Sequence, residues 1–94
     1  RWFPHPTSHW IGLDVHDSGP YQNGTGDVIL EQGMAFTVEP GLYVPLDASD
    51  APETFRGLGV RIEDTVALDE HGAAVLTRGA PKDRAAVEAL RRGE

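Results

Sequence analysis

The chain has 94 residues, 39% hydrophobic and 24% charged, the composition of at most one small globular domain. Fifteen Asp and Glu against eight Lys and Arg leave a net charge of −7 with the four His neutral. That balance excludes broad nucleic-acid binding, which needs clustered Lys and Arg, and no apolar run approaches the roughly 20 residues that span a bilayer.

A chain this short buries only about 60–65% of its unfolded surface, which leaves little stability to support a strained or highly charged site. The absence of cysteine excludes disulfides and Cys-zinc sites and is compatible with the cytoplasm. The chain begins Arg1-Trp2-Phe3-Pro4, without Met and without a signal-peptide pattern, as expected of a segment from within a longer protein. Residues 1–80 hold four basic and twelve acidic side chains, and residues 81–94 hold four and three. The acidic excess therefore belongs to the body of the chain.

In chain order, Pro4 and Pro6 oppose a helix through His5. Residues 10–15 read as a short strand or extended loop, and residues 17–27, rich in Gly, Asn, Ser and Pro, as exposed turns. Met34, Phe36 and Val38 alternate with Ala35, Thr37 and Glu39, which predicts a strand that meets Pro40-Gly41. Leu42-Tyr43-Val44 resumes an extended run, and residues 45–57 form a loop. From Val60 to Leu68 the alternation returns, with Arg61, Glu63 and Thr65 on one face and Val60, Ile62 and Asp64 on the other. Two long strands so connected pair antiparallel. Ala73–Leu76 is a final short strand after the Glu70-His71-Gly72 turn. Pro81 suits the first position of a helix that runs to Arg92, with Ala86, Val87 and Leu90 as its apolar stripe.

Three groups of residues could carry chemistry. Glu39 ends an apolar strand, and a carboxylate buried there would need a partner or a metal, although a strand-end Glu facing water is the ordinary reading of such a position. Arg61 and Glu63 share a strand face, as a metal-site pair or as a simple surface ion pair. His5, His9 and His16 fall within twelve residues, and imidazole with carboxylates and no sulfur is a ligand set for Mn, Fe, Co or Zn. His5 and His9 are four apart, but position 6 is Pro, so the helical zinc motif His-Glu-x-x-His is absent. Asp17 and Asp27 lie among turn residues, the Gly-x-Gly at 24–26 and the Gly57/Gly59 pair lack a phosphate-loop context, and Ser8 lacks a nucleophile elbow.

Three segments taken together, Ser8-His9-Trp10-Ile11-Gly12-Leu13-Asp14-Val15-His16-Asp17, Thr37-Val38-Glu39-Pro40-Gly41-Leu42-Tyr43 and Gly59-Val60-Arg61-Ile62-Glu63-Asp64, resemble successive motifs of the aminopeptidase P and prolidase family. These are dinuclear-metal pita-bread peptidases acting on Xaa-Pro bonds, and the Ser-His-Trp form is closer to aminopeptidase P. The resemblance covers about residues 3–77. It implies an α+β fold, the C-terminal half of a pita-bread domain, with a curved antiparallel sheet and a C-terminal helix. All of residues 1–94 would then be the C-terminal portion of one catalytic domain.

By the same resemblance His9, Glu39 and Glu63 would ligate two divalent ions, Mn by preference with Co, Fe or Zn as alternatives. Glu39 would help deprotonate the attacking water, and Glu63 would bridge the ions. His5 and His16 would line the substrate pocket, stabilising the tetrahedral intermediate or moving protons. Arg61 would orient carboxylates through charge-assisted hydrogen bonds. The substrate would be a peptide with proline at its second position, cleaved by a cytoplasmic homo-oligomer. Pro6 stands where the family usually has Gly, and the family's two aspartate ligands precede its His motif, so this chain holds three of five ligands and is expected to be inactive alone. Prolidase activity on Xaa-Pro dipeptides and a non-catalytic peptide-binding module are the rival readings.

Overall fold

The computed structural model describes residues 1–94. Glycine and Asn decide the first ordered feature. Strands β1 (Gln22–Asn23) and β2 (Gly26–Asp27) form a two-residue hairpin within the turn-rich segment. The Asn23 carboxamide oxygen accepts from the backbone N–H of Thr25 at 2.9 Å, and Gly26 takes a positive φ. The whole segment from 21 to 27 is exposed, as its composition implied.

The framework of the site is a long antiparallel ribbon. Strand β3 (Ala35–Val38) pairs with β6 (Asp64–Asp69), and β4 (Gly41–Tyr43) pairs with β5 (Gly59–Arg61). The two ladders share one register: Val38 faces Asp64 and Gly41 faces Arg61. The N–H of Ile62 donates to the Pro40 carbonyl at 3.1 Å across the gap. Pro40 has no N–H to return, so the ladder opens at Glu39-Pro40 and Ile62-Glu63 without slipping. The single strand expected over Val60–Leu68 is therefore two strands. Strand β7 (Gly72–Val75) completes the β3-β6-β7 sheet through a tight turn, with Gly72 at positive φ.

A further extended segment lies along the free edge of β3. Backbone bonds run from Ile11 N–H to Ala35 O, Thr37 N–H to His9 O and Glu39 N–H to Thr7 O, at 3.0, 2.9 and 2.7 Å. Trp10 forms a bridge with Phe36 in the same register. The hydrogen-bonded stretch is thus Thr7–Ile11, not 10–15. Beyond Ile11 the backbone turns away at Gly12, and Asp17 closes that turn on Trp10 O and the Asp14 N–H.

Helix α1 (Arg84–Arg92) starts later than Pro81. Asp83 is its N-cap and accepts from the Ala85 and Ala86 N–H groups, a stronger signal than a proline two positions earlier. Gly93, at φ 80°, ends the helix, and Arg91 and Arg92 occupy its last turn. The stripe expected from Ala86, Val87 and Leu90 has no partner: Val87 and Leu90 are exposed, and the helix packs on no other element.

Burial is sparse. Only six residues are buried, among them Val66, Thr37 and Glu39, while Leu13, Ile29, Leu46 and Leu58 are exposed. The radius of gyration is 17.0 Å, against about 12 Å for a close-packed domain of this length. The ribbon is held instead by polar clips. The Thr77 hydroxyl accepts the Thr65 N–H at 3.0 Å and donates to Asp64 at 2.6 Å, while Lys82 reaches Asp64 at 2.9 Å. The Thr77 hydrogen bond, then that of Lys82, holds the Asp64 carboxyl below the usual carboxylate range. Replacing Thr77 by Val removes the acceptor for a half-buried N–H and should lower folding stability by about 1–2 kcal/mol. Urea denaturation of the full-length protein checks this: Thr77→Ser should restore the midpoint, and an unchanged Thr77→Val midpoint would contradict the clip.

Candidate metal centre

Side chains alternate across the ribbon, so the register decides which of them meet. Thr37 and Glu39 point to one face of their strand. Across the ladder Thr65 is level with Thr37, and the flanking pairs Val38–Asp64 and Gly41–Arg61 place Glu63 level with Glu39. On the other side of β3, His9 is level with Thr37 through the Thr37 N–H to His9 O bond. Three separate stretches of sequence thereby deliver His9, Glu39 and Glu63 to one place. Their ligand atoms lie within 4.8 Å of one another.

Electrostatics makes this cluster demanding. Glu39 is 7% exposed, and a buried carboxylate requires compensation. Its Oε1 accepts from the Thr37 hydroxyl at 2.9 Å, and its Oε2 lies 3.5 Å from the Arg61 guanidinium. Glu63, one residue from the well-paired Asp64, is exposed. Like charges directly opposite on neighbouring strands destabilise a sheet, and one half-exposed Arg does not neutralise two carboxylates.

His9 sharpens the point. Its Nδ1 lies 3.0 Å from the Trp10 carbonyl, which only accepts, so Nδ1 carries a proton. Nε2 faces Glu39 Oε1 at 3.2 Å. Two lone-pair atoms at that distance need a proton or a cation between them. A ring whose second nitrogen is anchored on a backbone carbonyl is the usual form of a metal-binding His. The donor set of one imidazole and two carboxylates fits a divalent ion such as Mn, Fe, Co or Zn.

The other residues named from the sequence surround this cluster in distinct roles. The His16 ring lies 4.4 Å from the His9 ring, centroid to centroid, and is exposed. His5 is committed at both nitrogens, to Pro6 O at 2.7 Å and to the Tyr43 hydroxyl at 3.1 Å. The ring therefore stands beside the cluster and not among its ligands. Gly41 leaves room for that pair, since a Cβ there would come within 2.8 Å of His5 Nε2 and the Tyr43 ring. Arg61 stacks over Tyr43 at 5.9 Å while reaching Glu39.

Tyr43 and Thr37 were not singled out in the sequence. Thr37 lies two positions and Tyr43 four positions from Glu39, even spacings that could have found them. His5, His9, His16, Glu39 and Arg61 line an open cleft of about 720 Å³ together with Trp10 and Tyr21, whose rings stack at 5.8 Å.

The chain has extensive similarity to known proteins. Residues 1–70 match the sequence profile of metallopeptidase family M24. An Xaa-Pro aminopeptidase of Haemophilus influenzae is 48% identical over 90 residues, covering 96% of this chain and 20% of the relative. Its Escherichia coli counterpart is 49% identical over 89 residues, covering 95% and 20%. The structure of Pseudomonas aeruginosa aminopeptidase PepP superposes with a TM-score of 0.87 at 48% identity, over 95% of this chain and 20% of that one. E. coli aminopeptidase P with the inhibitor Pro-Leu superposes at 0.86 and 48%, over 98% and 20%. The chain thus spans 20% of the length of the relatives it matches. Its antiparallel ribbon and terminal helix form the corresponding part of the aminopeptidase P, or pita-bread, fold, as the sequence implied. On the extent of the profile match, the chain belongs to metallopeptidase family M24.

Proposed function

We propose that these residues form the C-terminal portion of a catalytic domain that hydrolyses the N-terminal Xaa-Pro bond of peptides at a dinuclear metal site. The observation that carries this reading is the convergence of His9, Glu39 and Glu63 ligand atoms within 4.8 Å. The relatives named Xaa-Pro aminopeptidase support the substrate class. The exposed apolar side chains support a place for this chain within a larger domain, which would also supply the two further aspartate ligands. Mn is the preferred ion, with Co, Fe and Zn as alternatives, and a cytoplasmic homo-oligomer is the expected form of the whole protein. No helix of the chain is long and apolar enough to cross a membrane.

When bound, two divalent ions supply Lewis-acid polarisation of the scissile carbonyl and a water acidic enough to lose a proton near neutral pH. The protein groups have separate tasks. His9 offers the lone pair of Nε2, because Trp10 O holds the proton on Nδ1. Glu63 and Glu39 would hold the ions from facing strands, and Glu39 would help to deprotonate the attacking water. Arg61, 3.5 Å from Glu39 Oε2, helps to orient that carboxylate. His16, exposed beside His9 on the cleft, and His5, held by Tyr43, face the substrate. They stabilise charge on the tetrahedral intermediate or move protons. The cleft volume of about 720 Å³ suits a short peptide.

In the full-length protein Glu63→Ala should cut hydrolysis of an Xaa-Pro-Xaa tripeptide by more than about a hundredfold, since a lost ligand costs more than the 10–100-fold of its supporting bonds. Near-normal turnover at saturating Mn²⁺ would remove Glu63 from the site. An enzyme that prefers Xaa-Pro dipeptides over tripeptides would be a prolidase. The 94-residue chain alone should show no Mn²⁺-stimulated cleavage of the same tripeptide. Appreciable turnover would contradict the assignment of the remaining ligands to other parts of the protein.

A further inference from the structure

Thr37 has the most deeply buried side chain of the molecule, 1% exposed. A threonine in the middle of a strand is unremarkable when its hydroxyl meets water. Here the hydroxyl is sealed off, and a buried hydroxyl is costly unless its bonds are made. Both of its bonds go to the residues of the metal cluster. It accepts the backbone N–H of His9 at 3.0 Å and donates to Glu39 Oε1 at 2.9 Å.

The direction of these bonds is forced. A backbone N–H can only donate, so the His9 contact occupies a lone pair of the hydroxyl and leaves its single proton for Glu39. The oxygen that receives this proton is the one that faces His9 Nε2 at 3.2 Å. Rotation of a Glu carboxylate about its last torsion is soft. Thr37 on Oε1 and Arg61 on Oε2 grip it from both ends. The Arg61 contact is the longer, at 3.5 Å, and comes from a half-exposed side chain. The short, buried, fixed contact belongs to Thr37. The same atom anchors the backbone of one ligand and the side chain of another, across two strands that the sequence separates by 28 positions.

We propose that Thr37 is a positioning residue that sets the spacing and orientation of His9 Nε2 and Glu39 Oε1 for a divalent cation. This rests on the reading of His9, Glu39 and Glu63 as a metal site. It assigns Thr37 no contact with substrate or with the ion. The hydroxyl is the functional part, and the methyl group only fills space. Valine at this position would keep the shape and the strand preference while leaving Glu39 free to turn and the His9 N–H without an acceptor.

The test uses the full-length protein stripped with chelator and titrated with MnCl₂, reading free Mn²⁺ from its electron paramagnetic resonance signal. Thr37→Ser should bind Mn²⁺ within about threefold of the unaltered protein, whereas Thr37→Val and Thr37→Ala should weaken it about ten- to a hundredfold, the range for bonds that support metal ligands. The thermal midpoint of each stripped protein is measured alongside. A hydroxyl that serves the metal makes the rise in midpoint on adding Mn²⁺ shrink in the Val and Ala variants and persist in Ser. Thr37→Val or Thr37→Ala that binds as tightly as the unaltered protein would overturn the proposal, as would Thr37→Ser that binds as weakly as Val. Failure of the unaltered, folded protein to take up Mn²⁺ would instead overturn the metal-site reading beneath it.

Discussion

Two carboxylates placed level with each other on neighbouring strands are the constraint around which this chain is built. The register that brings Val38 opposite Asp64 and Gly41 opposite Arg61 leaves Glu39 and Glu63 no other arrangement. At an effective dielectric of about 20, two charges about 5 Å apart repel by about 3 kcal/mol, before solvent at the exposed Glu63 screens the interaction. That is a large share of the roughly 5–15 kcal/mol that holds a domain together. The surrounding groups do not cancel it. Arg61 is half exposed and reaches one carboxylate, and His9 Nε2 faces only Glu39 Oε1. On the proposed reading, a divalent cation held by His9, Glu39 and Glu63 would supply that compensation.

The break in the ribbon serves the same end. Pro40 cannot donate a ladder bond, so the strands part where the carboxylates stand, while the Ile62–Pro40 bond prevents a slip of register. A one-residue slip would send Glu63 to the opposite face and bring Ile62 or Asp64 in its place. Asp64 is already engaged by Thr77 and Lys82. Gly41 makes room for the His5–Tyr43 pair, and Tyr43 in turn supports Arg61. Backbone register thus positions His9, Glu39 and Glu63, while side-chain contacts hold His5 and Arg61.

Much of this was legible in the residues. Period-two alternation located β3 and the end of β6 to within a residue, and the shared face of Arg61 and Glu63 followed from it. The Asn-Gly-Thr-Gly turn announced exposure at 23–26. What the sequence could not show was register. Whether Glu39 met water or Glu63 depended on a register set by backbone bonds, not by side-chain pattern. For the same reason Thr37 looked like any strand threonine until His9 was seen beside it. The helix start was misplaced because proline and Asp83 offer competing signals two residues apart, and the cap that makes two hydrogen bonds prevails. The ribbon over 60–68 was read as unbroken because alternation continues smoothly through a gap that preserves register.

The stripe of α1 is exposed and few side chains are buried, in a chain that matches 20% of the length of its relatives. Within this chain His9, Glu39 and Glu63 bring their ligand atoms within 4.8 Å of one another. The most direct measurement is anomalous diffraction from crystals of the full-length protein grown with MnCl₂, recorded on both sides of the manganese edge. Manganese density coordinated by His9 Nε2, Glu39 and Glu63 is the expected result. An ordered site with no anomalous density, and with Glu39 and Glu63 turned apart into solvent, would contradict it.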